Sequence, residues 1–190
     1  MNQVSAILLA GGLSSRMGTD KALLHFQGAT LLEWQLRKLN RLGIEDILLS
    51  GREVSNGAVC CVLDEFPRCG PLGGIYTCLK RARAPNCLVI SVDTPLVPEQ
   101  VLSELIEAHQ GSQARITILT HGSKWEPLIG VYDSGLWREA EPILRSGSMA
   151  VRRLLQKVEF ETFLCTEDDS LFCNCNTPQD YERLCRRTWL

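Results

Sequence analysis

The stretch VSAILLAGGLSSRMGTDK, residues 4–21, decides the fold. Residues 4–9 form an apolar run broken only by Ser5, as in a strand buried on both faces. A loop carrying Gly11, Gly12, Gly18, Ser14, Ser15, Arg16 and Lys21 follows at once. Its glycines allow backbone N–H groups to approach an anion closely, Arg16 can fork onto phosphate oxygens, and Lys21 supplies a point charge. The loop is neither a Walker A sequence nor the G-x-G-x-x-G dinucleotide fingerprint, because Gly18 is followed by Thr19-Asp20-Lys21. A glycine pair alone would read as a surface turn; with Arg16 and Lys21 beside it, a phosphate cradle is the better reading.

Working outward, strand-length apolar runs alternate with helical patterns. Thr30 can cap a helix bearing Leu32, Leu36 and Leu39, which Gly43 stops before a strand at 44–49. A strand is expected at 59–63, a helix from about 72 to 82 and an apolar run at 87–92. After Asp93-Thr94-Pro95, Pro98 can start a helix with Val101, Leu102, Leu105 and Ile106. Strands at 116–119 and 128–132, helices at 136–144 and 149–155, a strand near Phe160 and a helix after Thr177-Pro178 complete the chain. This order predicts one doubly wound α/β/α domain over residues 1–190, with a mostly parallel sheet. Ligands of such sheets bind at the carboxyl ends of the strands, and the three unusual segments, 10–21, 64–74 and 93–95, all follow strands.

Composition narrows the classes. Of 190 residues, 45% are hydrophobic and 22% charged, enough apolar material for one core without staples. With 20 Lys and Arg against 22 Asp and Glu there is no electrostatic footprint for a polyanion, so no nucleic-acid partner is expected. The longest apolar stretches, 4–10 and 87–92, fall well short of the ~20 residues a membrane span needs, so no membrane partner is expected. From Met1 the chain enters its strand without a basic leader and cleavage site, which points to a cytoplasmic location. Nine cysteines without a Cys-x-x-Cys pair, and His25, His109 and His121 scattered among them, read as reduced, mostly buried thiols; a zinc site is not expected.

The opening segment resembles the molybdenum cofactor guanylyltransferases, whose N-terminal signature L-A-G-G-x-S-x-R-M-G-x-D-K-x-L stands here as LAGGLSSRMGTDKALL. Gly70-Pro71-Leu72-Gly73-Gly74, Asp93-Thr94-Pro95, Glu126-Pro127-Leu128 and Asn174-Cys175-Asn176-Thr177-Pro178 look like later family motifs in the same order, so the resemblance covers nearly the whole chain. It implies a Rossmann-like nucleotidyltransferase fold and transfer of GMP from GTP to molybdopterin-bound molybdenum, with Mg2+ as cofactor. The products would be the guanine dinucleotide cofactor and pyrophosphate, with molybdoenzymes or their chaperones as further partners. Carried over residue by residue, Leu9, Ala10, Gly11 and Lys21 match nucleotide contacts, as does Asp64, and Asp93 matches a ligand of both metal and nucleotide. Gly12 belongs to the same loop, and Ser50 stands where many relatives carry a nucleotide-contacting Asn.

The chemistry of the residues agrees. Nucleotidyl transfer requires two anions to be positioned and developing charge to be neutralised. A Mg2+ held by one carboxylate and substrate phosphates meets that need, and Asp93 at a strand end is the candidate ligand; a helix N-cap or Asx-turn is its alternative role. Lys21 and Arg16 would stabilise departing pyrophosphate. For the acceptor, Gly73 in the 70–74 segment could lie against a flat ring, or serve only as a helix entry. Asn174 and Asn176, alternating on a short strand, could hydrogen-bond a pterin or metal water, the alternative being a cap on the next helix through Asn176 or Thr177; Arg152 could reach acceptor phosphate or sit on a solvated helix face. Trp125 is assigned to packing. The competing functions are a CTP-using enzyme acting on the same pterin, a sugar-1-phosphate nucleotidyltransferase, and a noncatalytic pterin carrier.

Overall fold

A computed structural model of the chain describes residues 4–11, 20–54 and 59–186. The elements are β1 (Val4–Leu9), a small hairpin of β2 (His25–Phe26) and β3 (Ala29–Thr30), α1 (Leu31–Arg41), β4 (Ile47–Ser50), β5 (Cys60–Val62), α2 (Gly70–Leu79) and β6 (Asn86–Ser91). They continue through α3 (Glu99–Gln110), β7 (Ile116–His121), β8 (Lys124–Asp133), α4 (Trp137–Arg145), α5 (Val151–Leu155), β9 (Phe160–Cys165) and α6 (Pro178–Cys185). Seven strands form one sheet in the order β5-β4-β1-β6-β8-β7-β9.

Alternate residues of β1 separate the two halves of the core. Val4, Ala6 and Leu8 pack with Leu32, Leu36 and Leu39 of α1 and with Val101, Leu102 and Leu105 of α3. Ile7 and Leu9 face the opposite side, where α2, α4 and α5 contribute Leu72, Ile75, Ile143, Leu144, Val151 and Leu154. All six β1 residues are buried, as a strand covered on both faces requires. This is the expected three-layer α/β/α architecture, and the sheet is mostly parallel.

The exception is β8. Helix-separated strands led to parallel pairing in the sequence reading, but β8 runs antiparallel to both β6 and β7. Only Gly122 and Ser123 separate β7 from β8, and Gly122 has φ +54°, the left-handed backbone that tight hairpins use. A two-residue turn cannot accommodate the crossover that parallel neighbours need, so β8 folds back between β6 and β7. The short strand expected around Asn174 and Asn176 is also absent: 173–176 is irregular, and its Cys175 N–H donates to the carbonyl of Asp93 at 2.8 Å.

Helix α1 does more than cover the sheet. Thr30 caps it in a complete capping box with Glu33, as its sequence position predicts. One flank of the helix holds the turn after β6 by its carbonyl groups. Gln35 Nε2 donates to Ser91 O at 2.7 Å and Thr94 O at 3.1 Å, and Trp34 Nε1 donates to Pro95 O at 3.0 Å. Lys38 Nζ donates to Pro95 O at 2.8 Å and Val97 O at 2.6 Å. A third, smaller cluster of Phe26, Leu31, Leu96, Cys175 and Leu184 lies beneath, joining the hairpin, the turn and α6. Among the described residues no helix is long and apolar enough to cross a membrane.

Burial lowers the Lys38 ammonium to about 7, with Glu99 opposing that shift and Arg41 adding to it. In the unfolded chain a lysine titrates near ~10.4. Below pH ~7 both states hold the proton and the full cost of burying charge is present; from there to pH ~10 the unfolded state binds more proton, so stability rises with pH. The expected result is that chemical-denaturation midpoints of wild type gain on those of Lys38→Met as pH is raised from about 7 to about 9, the difference between the two proteins isolating this group.

Candidate functional site

The exits of β1 and β6 lie side by side, Leu9 in register with Ser91, and Val92 N–H donates to Leu9 O at 3.1 Å. Strands of the sheet lie on both sides of this pair, and chain order reverses there: β4 follows β1 on one side, β6 adjoins it on the other. That is the switch point where a doubly wound sheet opens a crevice. The Lys21 ammonium, on a 3-10 turn over Lys21–Leu23, reaches into it. Its Nζ stands 3.8 Å from Asp93 Oδ2 and donates to Asn176 Oδ1. Three sequence-predicted residues, separated by as many as 155 positions, thus converge on one point.

The Asp93 side chain is 21% exposed, and its Oδ1 is buried with no hydrogen-bond partner among the described residues. A buried, unsatisfied carboxylate oxygen is costly unless something else occupies it. Hard oxygen of this kind suits Mg2+, which commonly takes one or two protein carboxylates and completes its shell with water and substrate phosphate. The residues therefore fit a single-carboxylate metal site. No cluster of three or more His, Cys, Asp or Glu side chains that could hold a metal occurs among the described residues.

The other expected nucleotide contacts line the exits of β1, β4 and β5. Ala10 N–H donates to Ser50 O at 3.1 Å. Ser50 Oγ donates to Asp64 Oδ1 at 3.0 Å, and burial raises the Asp64 carboxyl above its ordinary value while this bond draws it down. Gly11 lies directly against Gly51, so closely that a Cβ on Gly11 would come within 2.8 Å of Gly51 Cα. Gly12 and Arg16 fall outside the described residues. Arg52, unmarked by any sequence motif, donates to Asp20 Oδ2 at 2.7 Å and so ties the β4 exit to the start of the Lys21 turn.

The acceptor candidates are more dispersed. Asn176 joins Lys21, whereas Asn174 is exposed and lines a cavity of about 210 Å³ with Pro95, Leu96, Cys173 and Arg183. Thr177, not Asn176, caps α6 through its side chain, in a capping box with Asp180. Gly73 is buried, and the space a Cβ would need is taken by Phe66 O at 2.9 Å and Cys69 Cβ at 3.2 Å, so its missing side chain serves packing. Arg152 is exposed on α5 with its guanidinium 5.6 Å from the centre of the Trp125 ring.

One assembly around a buried histidine escaped the sequence. His121 at the end of β7 lies between Glu126 and Asp169, each ring nitrogen 3.0 Å from a carboxylate oxygen, and stacks on Phe172 at 4.5 Å. It fastens the β7–β8 hairpin to the turn that leads into 173–176. A lone histidine in sequence gave no sign of this, because both carboxylates are supplied by tertiary folding.

A family model described as the MobA-like NTP transferase domain matches residues 6–162. The chain belongs to this family. It is 32% identical over 191 residues to a protein of Opitutus terrae named probable molybdenum cofactor guanylyltransferase, covering 95% of this chain and 94% of the relative. A molybdenum cofactor guanylyltransferase of Pseudomonas aeruginosa PAO1 is 33% identical, covering 92% and 91% of the two chains. The crystal structure of molybdopterin-guanine dinucleotide biosynthesis protein A from Archaeoglobus fulgidus superposes with a TM-score of 0.82 at 24% identity, covering 95% and 96%, and shows the shared fold. The family makes the chain a nucleotidyltransferase.

Gly51 has φ +85°, and a Cβ there would lie 2.7 Å from Gly11 N. Gly51→Ala should therefore cost at least ~1 kcal/mol from backbone handedness alone and displace the β1 exit. Gly43→Ala, with a similar φ of +74° but open space around it, supplies the control. Denaturant unfolding and nucleotide titration should show both variants destabilised but only Gly51→Ala impaired in nucleotide binding.

Proposed function

We propose that this enzyme transfers GMP from GTP to the molybdenum-bearing molybdopterin cofactor, with Mg2+ as its metal, forming the guanine dinucleotide cofactor and pyrophosphate. The observation that carries this reading is the Lys21 ammonium at the switch point, held by Asn176 and facing the Asp93 carboxylate, whose Oδ1 is buried and unsatisfied among the described residues. The names of relatives at 32% and 33% identity, molybdenum cofactor guanylyltransferases, support the guanylyl group and the molybdenum cofactor as acceptor. The protein works in the cytoplasm.

In this mechanism a terminal phosphate oxygen of the acceptor attacks the α-phosphorus of GTP. A new P–O bond forms to that oxygen, the bond bridging the α and β phosphates breaks, and its electron pair leaves with pyrophosphate. The acceptor phosphate is largely ionised at neutral pH, so no protein nucleophile is required. When bound by Asp93 and substrate phosphates, Mg2+ supplies neutralisation of their charge and polarises the reacting phosphoryl group. Leu9, Ala10, Gly11 and Gly12 are assigned to nucleotide contact, and Ser50 and Asp64 offer hydrogen-bonding groups beside it. Lys21, with Arg16 from the same loop, offsets charge that develops on the leaving oxygen. Asn176 orients the Lys21 ammonium through its amide oxygen. Asn174 and Arg152 are assigned to the acceptor side.

The test supplies each nucleoside triphosphate with molybdopterin cofactor and Mg2+ and identifies the dinucleotide formed. GTP should give product and equimolar pyrophosphate; CTP should not. Equal use of CTP would overturn the base assignment, and pterin binding without pyrophosphate release would make the protein a carrier. Lys21→Ala and Asp93→Asn should each lower kcat by about 10²-fold or more, with melting temperatures close to wild type.

A further inference from the structure

Asp93 stands in a turn, residues 92–98, that belongs to no helix or strand, so something outside the sheet must fix where its carboxylate points. From one side Cys175 N–H takes the carbonyl of Asp93 itself. From the other side α1 contacts the carbonyls around it, and the central group is Lys38. Its side chain is 3% exposed, and its Nζ donates to two carbonyls, Pro95 and Val97, that lie two and four residues beyond Asp93. Gln35, one turn earlier on the same flank, donates to Ser91 and Thr94, the carbonyls on either side of it.

A methionine would fill the same space without the desolvation cost of an amine, but it would take from the Pro95 and Val97 carbonyls the donor that Lys38 provides. What only the amine supplies is two directed hydrogen bonds at once, and either protonation state of Lys38 carries enough N–H groups to make both. Those bonds fix the peptide planes beyond Asp93, while Gln35 fixes the planes that flank it. We propose that Lys38 is a positioning residue for nucleotidyl transfer: from α1, together with Gln35, it clamps the 91–97 backbone so that the Asp93 carboxylate is held in register with Lys21 across the crevice. The inference rests on the reaction proposed above. Lys38 touches no substrate; it acts through the turn, and misplacement of a reacting group by about 1 Å can cost 10²-fold in rate.

The experiment compares Lys38→Met and Gln35→Met with wild type in steady-state kinetics with GTP, in Mn2+ titration followed by electron paramagnetic resonance, and in thermal melts. The expected result for Lys38→Met is a kcat at least tenfold lower, KM for GTP within twofold and Mn2+ bound at least fivefold more weakly, in a protein that melts cooperatively. Gln35→Met should move the same quantities in the same direction. A folded Lys38→Met whose kcat and Mn2+ affinity stay within twofold of wild type overturns the proposal. So does a rate loss that equals the loss of folded protein, or failure of both variants to fold, since either outcome makes the contacts part of the scaffold only. If wild type itself forms no dinucleotide from GTP, the functional reading fails separately, and the Mn2+ titration still decides whether Lys38 sets Asp93.

Discussion

A lysine ammonium and a half-buried carboxylate face each other across the gap between β1 and β6, and much of the chain is arranged to keep them there. Neither residue lies in a strand, so neither gains its place from the sheet ladder directly. Lys21 is set by a turn that begins at Asp20, whose carboxylate accepts from Ala22 N–H and from Arg52. Asp93 is set by α1 on one side and by Cys175 on the other. The sheet therefore provides the crevice, while polar contacts between loops and one helix decide what stands in it.

This division explains which features could be read in advance. The strands β1 and β6 and the helix α1 with its cap follow from local patterns: buried runs, helical spacing and a capping threonine. Asp93 is legible because it comes just after the apolar run of β6, and Lys21 because it closes the glycine-rich loop that follows β1. The antiparallel β8 was not, since its only sign is a Gly122-Ser123 turn between two apolar runs, and strand-helix alternation elsewhere outweighed it.

The polar residues that escaped are instructive for a common reason. Lys38 and Gln35 sit on the flank of an amphipathic helix, where sequence suggests solvent, yet both are buried because the turn after β6 docks on them. Gly51 and Arg52 lie just past β4 and gain meaning only from what they meet, Gly11 and Asp20. Asn174 and Asn176 looked equivalent by spacing, but without a strand to impose alternation only Asn176 contacts Lys21. In each case the decisive partner lies far away in sequence, beyond the reach of any local pattern.

The order of strands also settles how the sheet ends. β5 is only three residues long, and β9 closes the other margin with Phe160–Cys165, where Leu164 is 61% exposed and Glu161 places a charge on the same margin. A brief strand offers little ladder to an incoming chain, and a carboxylate penalises the flat apolar stacking that would extend the sheet. The molecule can thus keep a buried, nearly uncharged central strand such as β1 while its open borders discourage fibrous self-association.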